Sequence, residues 1–328
     1  MTNRDRTTIF IGDDLVRQAH GMISPHIRET AVERARGLES GEGEVWLKLE
    51  NQQVTGSFKA RGALARVATL TDAERVKGVV ACSAGNHALG VAHACELYGI
   101  AASIYVPLTI DEARKKALEA LPVTLHVTGE TYKECEDRAI EAAAQQHKVF
   151  ISPYNDPLVI AGQGTIGFEL SRQIPNLEVV LLAVGGGGLA AGVAGYLKAI
   201  KPDLKVVGVC PINSAGLFDM VTGIPSEFTA HLETLSDSTA GAVQEGAITI
   251  GLCKALIDQW ILVEESDIQA AMRYLFYEHR IVTEGAGALA LAGYFREREG
   301  LHHYNCGLLV CGGNIAPKKF LSVVKMND

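Results

Sequence analysis

The sequence lacks the features of several large classes of protein. Its formal net charge is −8, and its basic residues form no run longer than the one at 114–116, so the electrostatic footprint of a nucleic-acid-binding protein is missing. It contains no stretch of about eighteen apolar residues, the length that a membrane-spanning helix requires. The first ten residues, MTNRDRTTIF, lack the apolar region of a signal peptide. We therefore expect a cytoplasmic protein that binds neither nucleic acid nor membrane.

Cysteine patterning and low-complexity sequence are also missing. The seven cysteines are an odd number without C-x-x-C spacing, so we expect neither a disulfide framework nor a metal site. The chain has no low-complexity tract, and 48% of its residues are hydrophobic, which excludes intrinsic disorder. A chain of 328 residues at this composition predicts one large or two modest globular domains.

From residue 78 onward, short apolar segments of strand length alternate with longer segments that have the period of a helix. This alternation is typical of βαβ units, which build parallel sheets flanked by helices. We therefore predict an α/β protein with two lobes that meet near Pro153. Parallel sheets bind ligands at the carboxyl ends of their strands, which directs attention to the loops after Ser83, Val184 and Val310.

Glycine is abundant, at 34 residues, and four glycines are consecutive at 185–188, between an apolar strand and a helix. Backbone N–H groups of such a loop can surround an anion, and the helix N-terminus adds partial positive charge, so a phosphate is expected here. Gly185, Gly187 and Ala190 also satisfy G-x-G-x-x-A. A nicotinamide-dependent oxidoreductase is therefore an alternative, although the next strand ends in Cys210 instead of the acidic residue that such a site needs.

Three further segments carry residues capable of chemistry. Lys59 closes the segment VTGSFK and is either a desolvated amine nucleophile or an ordinary exposed lysine. In CSAGNH, Ser83 and Asn86 either bind an anion or cap a helix. His87 in the same segment either belongs to the binding site or packs in the interior. Cys311, in LLVCGGN, lies at a predicted strand end and is either part of a site or a buried inert thiol.

The sequence resembles the fold-type II pyridoxal-phosphate enzymes in the order and spacing of four segments, GSFK, SAGNH, GGGGL and CGGN. Within that family, it resembles the branch that contains the serine/threonine dehydratases and serine racemases. The resemblance extends to DPLVIAGQGT at 156–165 and EGAGALALA at 284–292. It implies a two-lobed α/β fold like that of the tryptophan synthase β chain, each lobe a mostly parallel sheet flanked by helices. The implied domains are a large one at 1–75 plus 155–328 and a small mobile one at 76–154. The resemblance also implies a homodimer.

The resemblance further implies pyridoxal 5′-phosphate as cofactor and a role for each matching residue. Lys59 would hold the cofactor as the internal aldimine and take the α-proton of the substrate. The substrate-binding residues would be Ser83, Gly85 and His87, which receive its carboxylate. The cofactor-binding residues would be Phe58 and Asn86 at the ring, Gly185, Gly186, Gly187, Gly188 and Leu189 at the phosphate, and Cys311 at the pyridine nitrogen.

Departures from the family pattern bear on the reaction. Racemases of this branch have a second serine where this chain has Ala84, so a dehydratase is favoured over a racemase. Several relatives bind a divalent cation through acids near the strand that ends here in Cys210, and those acids are missing. We therefore predict α,β-elimination of water from a β-hydroxy amino acid such as L-threonine or L-serine, without a metal. β-Replacement, as in cysteine synthesis, remains an alternative, as does a non-catalytic binding protein.

The sequence indicates two classes of substrate for this reaction. The segment SDSTAGAVQEGAITIGLC at 236–253 resembles the hydroxyectoine-utilisation dehydratases, a subgroup often called threonine dehydratase. That resemblance implies a substrate derived from hydroxyectoine, alongside L-threonine or L-serine as the other option.

Overall fold

The computed structural model describes residues 11–38, 43–225 and 232–325. Residues 1–10, which in the sequence lack the apolar region of a signal peptide, lie outside the described residues, as do other parts of the predicted large domain. Ten strands occur in the described residues: β1 Val32–Arg34, β2 Val45–Lys48, β3 Val79–Cys82, β4 Ala102–Val106, β5 Thr124–Val127, β6 Val149–Phe150, β7 Val179–Ala183, β8 Lys205–Pro211, β9 Gln259–Val263 and β10 Cys306–Leu309.

The strands form two sheets. The larger has six strands in the order β1-β2-β10-β7-β8-β9, and the smaller has four in the order β5-β4-β3-β6. Every neighbouring pair is parallel except β1 and β2. The predicted α/β class with two mostly parallel sheets is therefore confirmed. All four strands of the smaller sheet lie between residues 79 and 150, within the predicted small domain, whose boundaries remain a prediction.

Helices cover these sheets. The described residues contain three short 3-10 helices and fourteen α-helices: α1 Asp13–Ile23, α2 Lys59–Ala68, α3 Asp72–Lys77, α4 Asn86–Tyr98, α5 Glu112–Glu119, α6 Tyr132–Gln145, α7 Pro157–Gln173, α8 Gly188–Ile200, α9 Gly216–Thr222, α10 Ile248–Leu256, α11 Glu265–His279, α12 Gly285–Arg296, α13 Arg298–Leu301 and α14 Pro317–Val324. Every residue of β4 and β7 is buried, which is the pattern of parallel strands covered on both faces.

From its period, the sequence segment GTIGFELSRQI at 164–174 predicts a helix, and the observed helix α7 begins seven residues earlier, at Pro157. Its start is set by Asp156, whose carboxylate accepts hydrogen bonds from the backbone N–H groups of Leu158 and Val159, with Pro157 at the first helical position. The glycines of this helix permit close packing. A Cβ at Gly162 would lie 2.6 Å from the carbonyl oxygen of Arg61, so α7 can approach α2 only with glycine there.

Two strands of the larger sheet are not predicted by the sequence, β1 and β9. Each lies at an edge of the sheet, and β1 is only three residues long. β9 has the apolar composition QWILV and directly follows α10, but the sequence between Pro211 and Gly251 lacks a regular strand–helix alternation, so the prediction does not extend to this strand.

A cluster of buried charges ties α2 to the larger sheet. Arg61 donates to Glu50 (Nε–Oε2, 2.7 Å) and to Glu169 (Nη1–Oε1, 2.6 Å), and Lys48 donates to Glu169 at 2.5 Å. All four side chains are fully buried. Buried charges persist only when they are paired and hydrogen-bonded, as these are. Since Arg61 is two residues beyond Lys59, this cluster fixes the helix that begins with Lys59.

Candidate active site

The three loops that the sequence singles out border one cavity of about 750 Å³. They follow β3, β7 and β10, so the cavity joins strand ends of both sheets. Its lining includes all twelve predicted site residues, from Phe58 to Cys311.

Lys59 is the first residue of α2, and its amine is partly buried in this cavity. The Nζ atom donates a hydrogen bond to the carbonyl oxygen of Pro153 at 3.0 Å and lies 5.1 Å from the centre of the Phe58 ring. Burial lowers the pKa of the Lys59 amine to about 8, and the neighbouring Cys311 and Glu284 only partly oppose that shift. The amine is thus far easier to deprotonate than that of an ordinary lysine.

The segment before Lys59 is tied directly to the one that carries Cys311. Ser57 and Gly312 form an antiparallel bridge, and the Phe58 N–H donates to the Cys311 carbonyl at 3.1 Å. These bonds bring Lys59 and Cys311, which are remote in sequence, to the same wall. The Cys311 side chain is buried, donates to the Ala286 carbonyl (Sγ–O, 3.3 Å), and burial raises the pKa of its thiol, so it stays neutral.

The glycine loop at 185–188 connects β7 to α8 and leaves no room for side chains. A Cβ at Gly186 would collide with the ring of Tyr154, and one at Gly187 would lie 2.6 Å from Leu217 Cδ2. Gly187 also has a φ of +86°, which favours glycine, and it caps α8 without any side-chain hydrogen bond. The first N–H groups of α8 therefore begin beside the cavity, next to Gly188 and Leu189, with no capping side chain in front of them.

The segment SAGNH lies at the turn from β3 into α4. Ser83 accepts a hydrogen bond from the Gly85 N–H at 3.2 Å, and a Cβ at Gly85 would meet nothing within 4 Å, so the loop is open toward the cavity. Asn86 is buried at the start of α4.

His87 is bound differently. Its ring is buried, its Nε2 lies 2.8 Å from the Ile151 carbonyl, and burial lowers the pKa of the imidazole to about 3. The ring is therefore neutral, and it ties α4 to the segment after β6 while still bordering the cavity.

Comparisons with known proteins decide the family. The profile of the family described as pyridoxal-phosphate dependent enzyme matches residues 23–312. The chain belongs to the pyridoxal-phosphate-dependent enzymes. It is 37% identical over 324 residues to the catabolic L-threonine dehydratase TdcB of Staphylococcus aureus (strain USA300), covering 97% of this chain and 92% of the relative. The predicted cofactor and the predicted class, a pyridoxal-phosphate-dependent lyase, are thereby confirmed.

Solved structures of this family have the same fold. The processed form of threonine deaminase isoform 2 from Solanum lycopersicum superimposes with a TM-score of 0.85 at 33% identity, covering 94% of this chain and 87% of that one. Maize serine racemase superimposes with a TM-score of 0.86 at 27% identity, covering 95% and 98%. Both lyases and racemases are therefore built on this fold, and the choice between them depends on the residues of the site.

The residues of the cavity suit the cofactor of this pyridoxal-phosphate-dependent enzyme. A phosphate needs backbone donors and no intruding side chains, which the glycine loop provides because a Cβ at any of its four positions would come within 3.0 Å of a neighbouring atom. An aldehyde needs a neutral amine, which the lowered pKa of Lys59 provides. Lys59 and residues 185–188 would therefore hold the two ends of the cofactor.

Sequence reasoning missed several side chains in this cavity, above all Glu284, Ser238 and Asn314. Glu284 accepts hydrogen bonds from Asn86 at 2.6 Å and from Ser238 at 2.9 Å. Burial raises the pKa of the Glu284 carboxyl to about 7, with Asp237 adding to the shift. The segments EGAG and CGGN contain Glu284 and Asn314, so the signal was present in the motifs, but only the fold shows that the two side chains both approach Asn86.

In the described part of the chain, no helix has the length and apolar character needed to cross a bilayer.

Proposed function

We propose that this enzyme eliminates water from a small β-hydroxy amino acid, with L-threonine as the first candidate, and releases a 2-oxo acid and ammonia. The observation that carries the proposal is that the Lys59 amine and the glycine loop border the same cavity, which is also lined by the open Ser83–Gly85 turn. The name of the Staphylococcus aureus relative supports threonine as the substrate.

Bound here, pyridoxal phosphate supplies an electron sink for the charge that develops at the substrate Cα. The chain supplies the proton transfers. With a pKa of about 8, Lys59 is neutral in about one molecule in ten at pH 7, far more often than an ordinary lysine, and in this form it can accept the α-proton. The β-hydroxyl leaves as water, and hydrolysis of the released enamine consumes one water, so one amino acid gives one 2-oxo acid and one ammonia.

The neutral groups around Lys59 would bind and orient the substrate and the cofactor. We propose that the Ser83–Gly85 turn receives the substrate carboxylate, since Gly85 leaves space and the N-terminus of α4 adds partial positive charge. The neutral Cys311 thiol would lie at the pyridine nitrogen without holding a proton on it, which moderates charge withdrawal and favours prompt loss of the β-substituent.

Ala84 supports elimination over racemisation. Racemisation needs a second acid–base group on the opposite face of the substrate. Ala84 borders the cavity and has no ionisable atom, so the position where racemases of this branch carry a serine cannot transfer a proton.

We propose that the two sheets close over the substrate, since charged side chains from both sides meet at the cavity. Arg114, on α5 of the proposed small domain, donates to Asp237 at 2.5 Å, and Lys319 on α14 lies 3.4 Å from the same oxygen. The proposed domains are 76–154 and the remainder of the chain. The homodimer and the cytoplasmic location remain predictions from resemblance and composition.

Absorbance spectroscopy of the purified enzyme, combined with a 2-oxo acid assay, tests the proposal. L-Threonine, L-serine and hydroxyectoine are added separately, with Lys59→Ala as the control. We expect threonine or serine to change the cofactor band and to produce 2-oxo acid only in the wild-type protein. A change of the cofactor band with hydroxyectoine or its ring-opened derivative alone would indicate a hydroxyectoine-derived substrate instead. Product in sulfide-supplied assays without 2-oxo acid would favour β-replacement, and interconversion of enantiomers without product would favour racemisation.

A further inference from the structure

The side chain of Asn86 is held by partners on both sides of its amide group. Its Nδ2 donates to Glu284 Oε1 at 2.6 Å, and its Oδ1 accepts from Asn314 Nδ2 at 2.7 Å. An asparagine amide has two N–H donors and one acceptor oxygen. One N–H of Asn86 therefore remains, on a side chain that lines the cavity.

The direction of this chain of hydrogen bonds is set by the Thr55 carbonyl, which can only accept. Asn314 Nδ2 also donates to the Thr55 carbonyl oxygen at 2.8 Å, and a backbone carbonyl has no proton to give. Asn314 must therefore turn its nitrogen toward both Thr55 and Asn86. The Asn86 oxygen then faces Asn314 and its nitrogen faces Glu284. Rotating the Asn86 amide by half a turn would place oxygen against a carboxylate and nitrogen against nitrogen.

Two glycines of the sequence motifs make room for this arrangement. A Cβ at Gly312 would collide with Glu284 Oε1 and lie 3.2 Å from Asn86 Nδ2. A Cβ at Gly56, where φ is +74°, would lie 2.6 Å from Asn314 Oδ1. Glu284 itself is fixed twice more, by the Ser238 hydroxyl at 2.9 Å and through its own N–H, which donates to the Gly312 carbonyl at 3.2 Å. The segments TGSFK, SAGNH, EGAG and CGGN thus meet in one hydrogen-bonded cluster.

We propose that Glu284 and Asn314 are positioning residues that fix the Asn86 amide so that it presents an N–H donor, and not an oxygen, to the cofactor in this cavity. The inference rests on the proposed placement of Asn86 at the cofactor ring. A donor at this position selects an oxygen acceptor on the ligand, whereas a freely rotating amide would present oxygen part of the time and weaken binding. Neither Glu284 nor Asn314 need touch the cofactor to have this effect.

The test measures the affinity of cofactor-free protein for pyridoxal phosphate by absorbance titration, together with the position of the absorbance band of the bound cofactor. Glu284→Ala removes the acceptor, and we expect the dissociation constant to rise about tenfold and the band to shift. Glu284→Gln is the matched control, because its amide oxygen can still accept from Asn86 while its nitrogen faces Ser238. We expect Glu284→Gln to stay within about threefold of the wild-type affinity, a difference of no more than about 0.7 kcal/mol.

Double variants distinguish a positioning role from a general structural one. If Glu284 acts through Asn86, then Glu284→Ala should change the dissociation constant little in an Asn86→Ala background, where no amide is left to orient. The proposal would be overturned if Glu284→Ala lowered the cofactor affinity equally in both backgrounds. It would also be overturned if Glu284→Gln lowered the affinity as much as Glu284→Ala does. Because Asn314 is exposed, Asn314→Ala provides a variant that leaves the interior intact, and it should reproduce the Glu284→Ala band shift. An unchanged band in Asn314→Ala would contradict the account.

The affinity and absorbance measurements do not depend on catalytic turnover. Failure of the proposed elimination would leave the titrations informative, and failure of the positioning role would leave the 2-oxo acid assay unchanged. The two proposals can therefore fail separately.

Discussion

The amine of Lys59 lies 3.0 Å from the carbonyl oxygen of Pro153, three residues beyond the last strand of the smaller sheet. That carbonyl accepts one hydrogen bond from the amine but carries no formal charge, so it orients the amine without holding it protonated. Burial can then lower the pKa of Lys59 to about 8. The chain thus passes Lys59 as it leaves the smaller sheet.

The lowered pKa of Lys59 predicts the pH dependence of cofactor binding. Only the neutral amine attacks an aldehyde, and its fraction rises as pH increases toward the pKa. The rate at which cofactor-free protein combines with pyridoxal phosphate should therefore rise about tenfold per pH unit well below pH 8 and become constant above it. Stopped-flow absorbance between pH 6 and 9.5 measures this. A rate that kept rising to the upper limit would show an ordinary lysine.

The tight packing of the glycine loop predicts a selective loss of cofactor affinity. In Gly186→Ala, the new methyl group collides with the ring of Tyr154, and either the loop or the ring must move. Overpacking of this kind is typically unfavourable by about 1–3 kcal/mol, which corresponds to a dissociation constant about five- to hundredfold higher. Gly85→Ala is the control, since its methyl group meets nothing within 4 Å. Equal affinities for the two variants would show that the loop does not hold the phosphate.

The buried charge cluster around Arg61 predicts a large effect on stability. Glu169→Gln removes the carboxylate between Arg61 and Lys48, leaving two cations that share one partner, Glu50. We expect the free energy of unfolding to fall by about 3–5 kcal/mol in denaturant titrations. Asp137→Asn, which removes an exposed pair with Lys133, should change it by less than about 1 kcal/mol. A small change in Glu169→Gln would mean that the interior compensates for the lost charge.

The ion pair between Arg114 and Asp237 predicts a salt-dependent KM. Both side chains are partly exposed, so the pair is worth about 0.2–1 kcal/mol, and Asp237→Asn should raise the KM by no more than about fivefold. Salt screens such pairs, so the wild-type KM should rise between low and high ionic strength while that of Asp237→Asn changes little. If the KM of both proteins depended on salt in the same way, the pair would not contribute to domain closure.

The sequence predicts the parts of this site that depend on strand ends. In a parallel sheet, the residues after each strand lie at one edge, which directs attention to the loops after Ser83, Val184 and Val310. That Lys59, Asn86 and Cys311 share a site with the glycine loop was implied by the family resemblance, because these strands belong to two different sheets. Side-chain pairings across distant segments could not be predicted in this way. Glu284 and Asn86 are 198 residues apart, and their contact depends on side-chain directions that periodicity does not encode. The same holds for Arg61 and Glu169, which look like surface charges in the sequence and lie in the interior.

The early start of α7 has a different cause. The capping role of Asp156 and the packing of Gly162 against α2 are local and tertiary effects, respectively, and the second overrides the low helix propensity of glycine. β9 lies between α10 and α11 and so continues the strand–helix order, but the sequence between Pro211 and Gly251 lacks a regular alternation, and the pattern could not be followed as far as this strand.

The most direct test of the central claim is borohydride reduction of the enzyme with its cofactor, followed by peptide mass spectrometry. The account predicts one pyridoxyl group per chain, attached to Lys59, and no modified peptide in Lys59→Ala. A pyridoxyl group on a different lysine, or none after incubation with pyridoxal phosphate, would contradict the assignment of Lys59 as the residue that binds the cofactor.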